Sequence, residues 1–144
     1  LIDDGLHGVM MAHIRYTAID SAIASFSPYW MNTVLRDELG FGGAIFSDDL
    51  SMAGADIGVG PTERVTLALK AGADMTLICN AREAVEAVLD ELRMPAQVAS
   101  QARLAAMRCN LQRYAEAAYG SASWSALQAT VQQAQTVPDL RLDG

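Results

Sequence analysis

Residues 43–49 read Gly-Ala-Ile-Phe-Ser-Asp-Asp, a short apolar run that ends in two adjacent carboxylates. The apolar residues follow one another without polar alternation, which is typical of a parallel strand that is buried on both faces. Residues 49–60 come next, and they contain three glycines. Loops of this length usually have a function, so we expect the functional residues to lie where this strand ends.

Two further apolar runs, residues 9–13 and 75–79, predict one strand before and one strand after the central one. Apolar residues at helical spacing follow each run, and they predict helices over residues 28–40, 61–72 and 81–93. Proline begins and glycine ends the first two of these helices. The strand–helix order repeats in units of about 30 to 35 residues, which predicts an α/β fold with a parallel sheet.

The sequence changes character after Pro95. Residues 95–119 are rich in Ala, Gln and Arg, and their apolar residues are spaced as on one amphipathic helix. A shorter helix is expected in the residues that follow. We therefore divide the chain into βα units, residues 1–93, and a helical tail, residues 94–144.

The composition excludes several classes of partner. The net charge is −7, so the surface repels phosphate backbones and nucleic acid is not an expected partner. No apolar run approaches the roughly 20 residues that span a bilayer, so no membrane partner is expected. The two cysteines, Cys79 and Cys109, do not form a disulfide framework. Reduced thiols fit a cytoplasmic protein.

The adjacent carboxylates Asp48 and Asp49 carry the chemistry of the predicted site. Side chains alternate along an extended chain, so the two carboxylates point in opposite directions. Ligands of parallel α/β folds lie beyond the carboxyl ends of the strands, where a carboxylate can be a nucleophile, a general base, a metal ligand or a hydroxyl acceptor. It can equally bond only the backbone of the next loop. The spacing alone leaves these alternatives open.

The run VLRDELGFGGAIFSDDLSM, residues 34–52, is what decides among them. It resembles the nucleophile signature of family 3 glycoside hydrolases, in which two aliphatic residues, a basic residue, an acidic residue, a glycine and three apolar residues precede Ser47 and Asp48. The segments MMAHIRYTAIDS, residues 10–21, and AGADMTLICN, residues 71–80, are similar to bacterial β-N-acetylglucosaminidases of that family. The resemblance covers roughly residues 1–93.

The resemblance implies a (β/α)8 barrel of the TIM type, of which the last three βα units are present here, followed by C-terminal helices. It also implies a retaining mechanism in which Asp48 is the catalytic nucleophile. In this subgroup the acid/base is a histidine on a mobile loop that lies N-terminal to Leu1. Neither a metal ion nor another cofactor is implied.

The implied substrate is an amino-sugar glycoside or muropeptide, from which terminal β-linked N-acetylglucosamine is released during cell-wall recycling in the cytoplasm. The sequence opens on Leu1 inside a predicted element, so we expect a truncation and count the N-terminal part of the barrel as a missing partner. Three strands of a barrel leave two open edges and an uncovered face. We therefore expect the isolated chain to be inactive and prone to aggregation.

His13 ends the first predicted strand, and two interpretations of it stay open. Either it is a substrate-binding residue that lines the sugar pocket near Asp48, or it packs at the barrel rim. His7 is expected to be an exposed loop residue. Arg36 and Arg64 are expected to lie on solvated helix faces.

Other functions compete with this interpretation. A family 3 β-glucosidase would share Asp48. A regulatory domain of receiver type would need a lysine at the end of the last strand, where this sequence has Cys79 and Asn80. A non-catalytic α/β fragment is the third alternative.

Overall fold

The computed structural model describes residues 1–95, 97–108 and 122–135. The chain divides into two compact units, Leu1–Met107 and Arg108–Gly144. The first unit contains the strands β1 (Gly8–Met11), β2 (Ala44–Asp49) and β3 (Met75–Leu77), a π-helix (Tyr29–Glu38), and the helices α1 (Pro61–Ala71), α2 (Arg82–Glu91) and α3 (Val98–Ala106). The described part of the second unit contains helix α4 (Ala122–Gln135).

The three strands form one parallel sheet in the order β1-β2-β3. Met10, Phe46 and Met75 are aligned across it, and the pairing of β2 with β3 becomes irregular beyond Phe46. The predicted α/β class and parallel sheet are confirmed. The outer strands end two residues earlier than predicted, so His13 and Cys79 belong to the loops that follow them. The barrel stays a prediction.

The two faces of the sheet differ in burial. Ile45 is fully buried, and it belongs to the same hydrophobic core as Met31 of the π-helix and Val65 of α1. On the other face, Met10 is 55% exposed and Met75 is 41% exposed. This alternation follows the period of two along each strand. One face therefore packs against the helices, and the other presents apolar side chains to the surface.

The helix ends follow local sequence signals. The Ser27 hydroxyl accepts a hydrogen bond from the Trp30 N–H, as an N-cap residue does. The π-helix ends with the Leu39 N–H bonded to the Val34 carbonyl five residues earlier, and Gly40 follows at φ +64°. Sequence spacing predicted a helix here, and it did not distinguish π from α bonding.

Helix α1 ends at Ala71 and is capped by Gly72, whose backbone adopts φ +121°. This conformation favours glycine, because other residues rarely adopt positive φ. A Cβ atom at this position would also lie 2.7 Å from the Asn32 side-chain oxygen. The position therefore needs glycine both for its backbone angle and for the close packing of α1 on the π-helix.

Helix α3 is tied to the amino end of the sheet through Asp74. The hydroxyl of Ser100 and the guanidinium of Arg103 both donate to Asp74, which directly precedes β3. Helix α3 therefore belongs to the first compact unit, which extends to Met107. The division into two functional parts stays a prediction.

Helix α3 is shorter than the helix predicted over residues 95–119. It starts later and ends earlier than predicted. It begins at Val98, and Met107 caps it by donating to the Leu104 carbonyl. Residues 109–121 lie outside the described residues. The expected final helix is present as α4, with 14 residues.

Candidate active site

The two carboxylates at the carboxyl end of β2 point in different directions, as period-two alternation predicts. Asp48 is partly exposed and lies on the same side of β2 as Phe46. Its Oδ1 accepts one hydrogen bond, 2.8 Å from the Asp49 N–H. Within residues 1–95, 97–108 and 122–135, no other hydrogen bond reaches this carboxylate. Asp48 therefore keeps an oxygen available for a ligand.

Asp49 is buried and serves the loop that follows β2. Its Oδ1 accepts hydrogen bonds from the Ser51 hydroxyl at 2.6 Å, from the Ser51 N–H at 2.9 Å and from the Cys79 N–H at 3.0 Å. The hydrogen bond from the Ser51 hydroxyl is the largest cause that holds the pKa of Asp49 below its ordinary value. Asp49 therefore uses its Oδ1 atom to hold the start of this loop and the start of the loop after β3 in place.

His13 lies beside this segment, and both of its ring nitrogens contact protein groups. Nε2 is 2.9 Å from the Asp49 carbonyl oxygen, and Nδ1 is 2.6 Å from the hydroxyl of Ser25. Phe26 stacks on the ring with centroids 6.2 Å apart. Both ring nitrogens thus contact protein groups, and substrate binding by His13 stays a prediction.

Arg64 was expected on a solvated helix face, and that expectation is wrong. Its side chain is only 17% exposed. From the first turn of α1 it donates to the carbonyls of Leu50 and Val59 and forms an ion pair with Asp56 at 2.6 Å. Arg64 thereby joins the two ends of the glycine-containing loop that follows Asp49. The sequence signal for this role was a guanidinium just after such a loop.

Arg36 was also wrongly expected to be solvated. It is 14% exposed and donates to Asp74, to the Phe41 carbonyl and to the Gly43 carbonyl. These contacts lie at the amino end of the sheet, away from the carboxyl end that carries Asp48. Arg36 is therefore a structural residue of the fold.

The described residues, 1–95, 97–108 and 122–135, show neither a metal-binding cluster nor a membrane-spanning helix. Within them, no group of three or more His, Cys, Asp or Glu side chains is arranged to hold a metal ion. No helix in that part of the chain combines the length and the apolar character that crossing a membrane requires.

Comparison with known proteins finds one family for most of the chain. Residues 1–107 match the Glycosyl hydrolase family 3 N terminal domain. The chain is 48% identical over 107 residues to a β-hexosaminidase of Methylobacillus flagellatus, a match that covers 74% of this chain and 31% of the relative. It is 50% identical over 108 residues to a β-hexosaminidase of Nitrosospira multiformis, with 75% and 31% covered.

A solved structure is similar in fold as well as in sequence. NagZ from Neisseria gonorrhoeae, in complex with N-trifluoroacetyl-D-glucosamine, matches with a TM-score of 0.77 at 34% identity. This match covers 90% of the present chain and 37% of NagZ. The chain thus spans about a third of the length of the relatives that it matches.

Proposed function

Because this chain belongs to glycosyl hydrolase family 3, we propose that Asp48 is the nucleophile of a retaining β-N-acetylhexosaminidase. The enzyme releases terminal β-linked N-acetylglucosamine. The observation that carries this proposal is the contrast between two neighbouring carboxylates. Among the residues that the structure describes, the buried Asp49 accepts three hydrogen bonds, whereas the partly exposed Asp48 accepts one.

The proposed reaction has two steps. In the first, an Asp48 oxygen attacks the anomeric carbon, the glycosidic bond breaks, and its electron pair leaves with the aglycone oxygen, which takes a proton from the general acid. In the second, water attacks the anomeric carbon, returns a proton to that same group and releases the Asp48 carboxylate. Two inversions at one carbon retain the β configuration. The resemblance assigns the acid/base to a histidine N-terminal to Leu1.

The proposal also covers the substrate, the cellular location and the complete fold. The names of the relatives and the amino-sugar ligand of the gonococcal structure support N-acetylglucosamine over glucose. We propose that the substrates are peptidoglycan-derived fragments and that the enzyme acts in the cytoplasm. We also propose that N-terminal units complete a (β/α)8 barrel. The exposed Met10 and Met75 on one sheet face support the barrel, because side chains on that face would fill its interior.

Covalent trapping tests the assignment of the nucleophile. The full-length protein is incubated with a fluorinated N-acetylglucosaminide and digested, and fragment ions locate the sugar label. We expect the label on Asp48 in the wild type and in Asp49→Asn, and no label in Asp48→Ala. A label on Asp49 would overturn the assignment.

Two measurements on the same protein test the rest of the proposal. Hydrolysis rates of matched β-N-acetylglucosaminide and β-glucoside substrates separate the hexosaminidase from a β-glucosidase, and we expect the first to be faster. NMR spectra of the first-formed sugar should show the β anomer. The α anomer would exclude a glycosyl-enzyme intermediate.

A further inference from the structure

The hydrogen bonds of His13 determine what its ring can do. A carbonyl oxygen only accepts hydrogen bonds, so the Nε2 atom that lies 2.9 Å from the Asp49 carbonyl must carry the hydrogen. Nδ1 is then satisfied by the hydroxyl of Ser25, 2.6 Å away. Ser25 is fully buried. The ring is thus fixed at both nitrogens by the protein.

Residue Asp49 links this ring to the proposed nucleophile. Its carbonyl accepts from His13, and its N–H donates to the Asp48 carboxylate at 2.8 Å. Its own carboxylate is held by Ser51 and Cys79. Movement of the Asp49 backbone would therefore move the hydrogen-bond donor that orients Asp48.

We propose that His13 is a positioning residue that holds the Asp49 backbone, and through it the Asp48 carboxylate, in the geometry required for attack. This inference rests on the proposed function of Asp48. It replaces the interpretation of His13 as a residue that contacts the sugar. Misplacing a reacting group by about 1 Å can cost about a hundredfold in rate, so a fixed backbone at this point matters for catalysis.

The surroundings of the ring support a fixed position. Phe26 stacks on the ring with an interplanar angle of 17°. The chain also passes close to His13 at Gly54, where an added Cβ atom would lie 3.0 Å from the His13 Cβ. His13 therefore contacts the loops after β1 and β2 as well as the end of β2, which lets one side chain join all three segments.

Two amide variants distinguish the hydrogen bond of Nε2 from the hydrogen bond of Nδ1. In His13→Gln the side-chain amide can reach the Asp49 carbonyl and donate to it, whereas in His13→Asn the shorter amide stays near Ser25. The matched control is His7→Ala, because His7 is the only other histidine of the chain and is exposed. All variants are compared as full-length proteins at a temperature below their thermal transitions.

We expect His13→Asn to lower kcat for a β-N-acetylglucosaminide by about tenfold or more with KM nearly unchanged, and His13→Gln to recover most of that loss. His7→Ala should behave as the wild type. Equal rates for the Gln and Asn variants would overturn the proposal. So would a loss that lies entirely in KM, which is the result expected of a sugar-binding residue.

A structural readout keeps this inference separate from the proposed function. Crystal structures of the two variants should show the Asp48 carboxylate displaced in His13→Asn and in place in His13→Gln. An undisplaced carboxylate in His13→Asn overturns the positioning role whatever the activity. Failure of the proposed function would instead appear as a wild-type protein that neither hydrolyses nor is trapped by N-acetylglucosaminides.

Discussion

The two ends of the parallel sheet use the same side chain in opposite ways. At the carboxyl end, Asp48 is partly exposed and accepts one hydrogen bond from the described part of the chain. At the amino end, the Asp74 side chain is 1% exposed and accepts four, from Arg36, Arg103, Ser100 and the Ile45 N–H. A carboxylate whose oxygens are all occupied can only hold the fold together. A carboxylate that is partly exposed and also has an unoccupied oxygen is available for chemistry.

The four donors at the amino end come from distant parts of the chain. Arg36 lies in the π-helix, Ile45 in β2, and Ser100 and Arg103 in α3. Asp74 thus fastens two helices to the starts of two strands. In α/β barrels the amino end of the strands generally contributes stability and the carboxyl end contributes activity, and this division agrees with the hydrogen bonding at both ends.

Among the substitutions at the two ends of the sheet, Asp48→Ala should have the largest effect on activity. If Asp48 is the nucleophile, kcat of the full-length enzyme should fall by at least about ten-thousandfold, the scale seen when a group that acts covalently is removed. The free energy of unfolding should change by no more than about 1 kcal/mol, because a single hydrogen bond is lost. Initial rates and urea unfolding of the same sample measure both. A large loss of stability would show that Asp48 also holds the fold together, and the functional difference between the two ends of the sheet would be lost.

Asp74→Asn should show the reverse pattern. It leaves two arginines without their counter-charge and places an amide N–H against donors. Breaking a buried ion pair costs about 3 to 5 kcal/mol, and we expect about 3 because Arg103 is 31% exposed and water can reach it. Urea unfolding measures the loss. At a temperature where the variant is folded, its kcat should match the wild type, and a selective loss of kcat would contradict a purely structural role.

The sequence predicted the carboxyl end better than the amino end. Residues 43–49 contain the strand, the carboxylates and their alternation, so the opposite directions of Asp48 and Asp49 follow from local spacing alone. The contacts of Asp74 join residues 29 and 38 positions apart, and no local pattern encodes them. Arg36 was misplaced for the same reason, because its carboxylate partner Asp74 lies 38 positions away. Arg64 was misplaced because two of its acceptors are backbone carbonyls, which a side-chain pattern does not reveal. The two hydrogen-bond partners of His13, Ser25 and the Asp49 carbonyl, could be identified only from the structure.

Low pH should reduce the free energy of unfolding through protonation of Asp74. Burial raises the pKa of Asp74, but the hydrogen bonds from Ser100, the Ile45 N–H and Arg103 outweigh it and hold the pKa below its ordinary value of 3.8. A carboxyl group with a lowered folded-state pKa adds stability at pH above its unfolded pKa, and this stability disappears as pH falls through the folded value. Unfolding followed from about pH 5 downward should therefore lose less stability in Asp74→Asn than in the wild type. Parallel curves would exclude Asp74 as a contributor.

Asp56→Asn should have the smallest effect, although it breaks an ion pair that is shorter than either ion pair of Asp74, 2.6 Å against 2.8 and 2.9 Å. The Asp56 side chain is 62% exposed and lies 2.6 Å from Arg64. Exposed ion pairs contribute about 0 to 1 kcal/mol, because water solvates both charges once they separate. Arg64 also keeps its hydrogen bonds to the Leu50 and Val59 carbonyls, so the loop after Asp49 should stay closed. We therefore expect kcat/KM within about twofold of the wild type and a loss of unfolding free energy below about 1 kcal/mol, measured beside Asp74→Asn in the same urea series. A loss as large as that of Asp74→Asn would mean that burial is not what separates the structural carboxylate from the exposed ones.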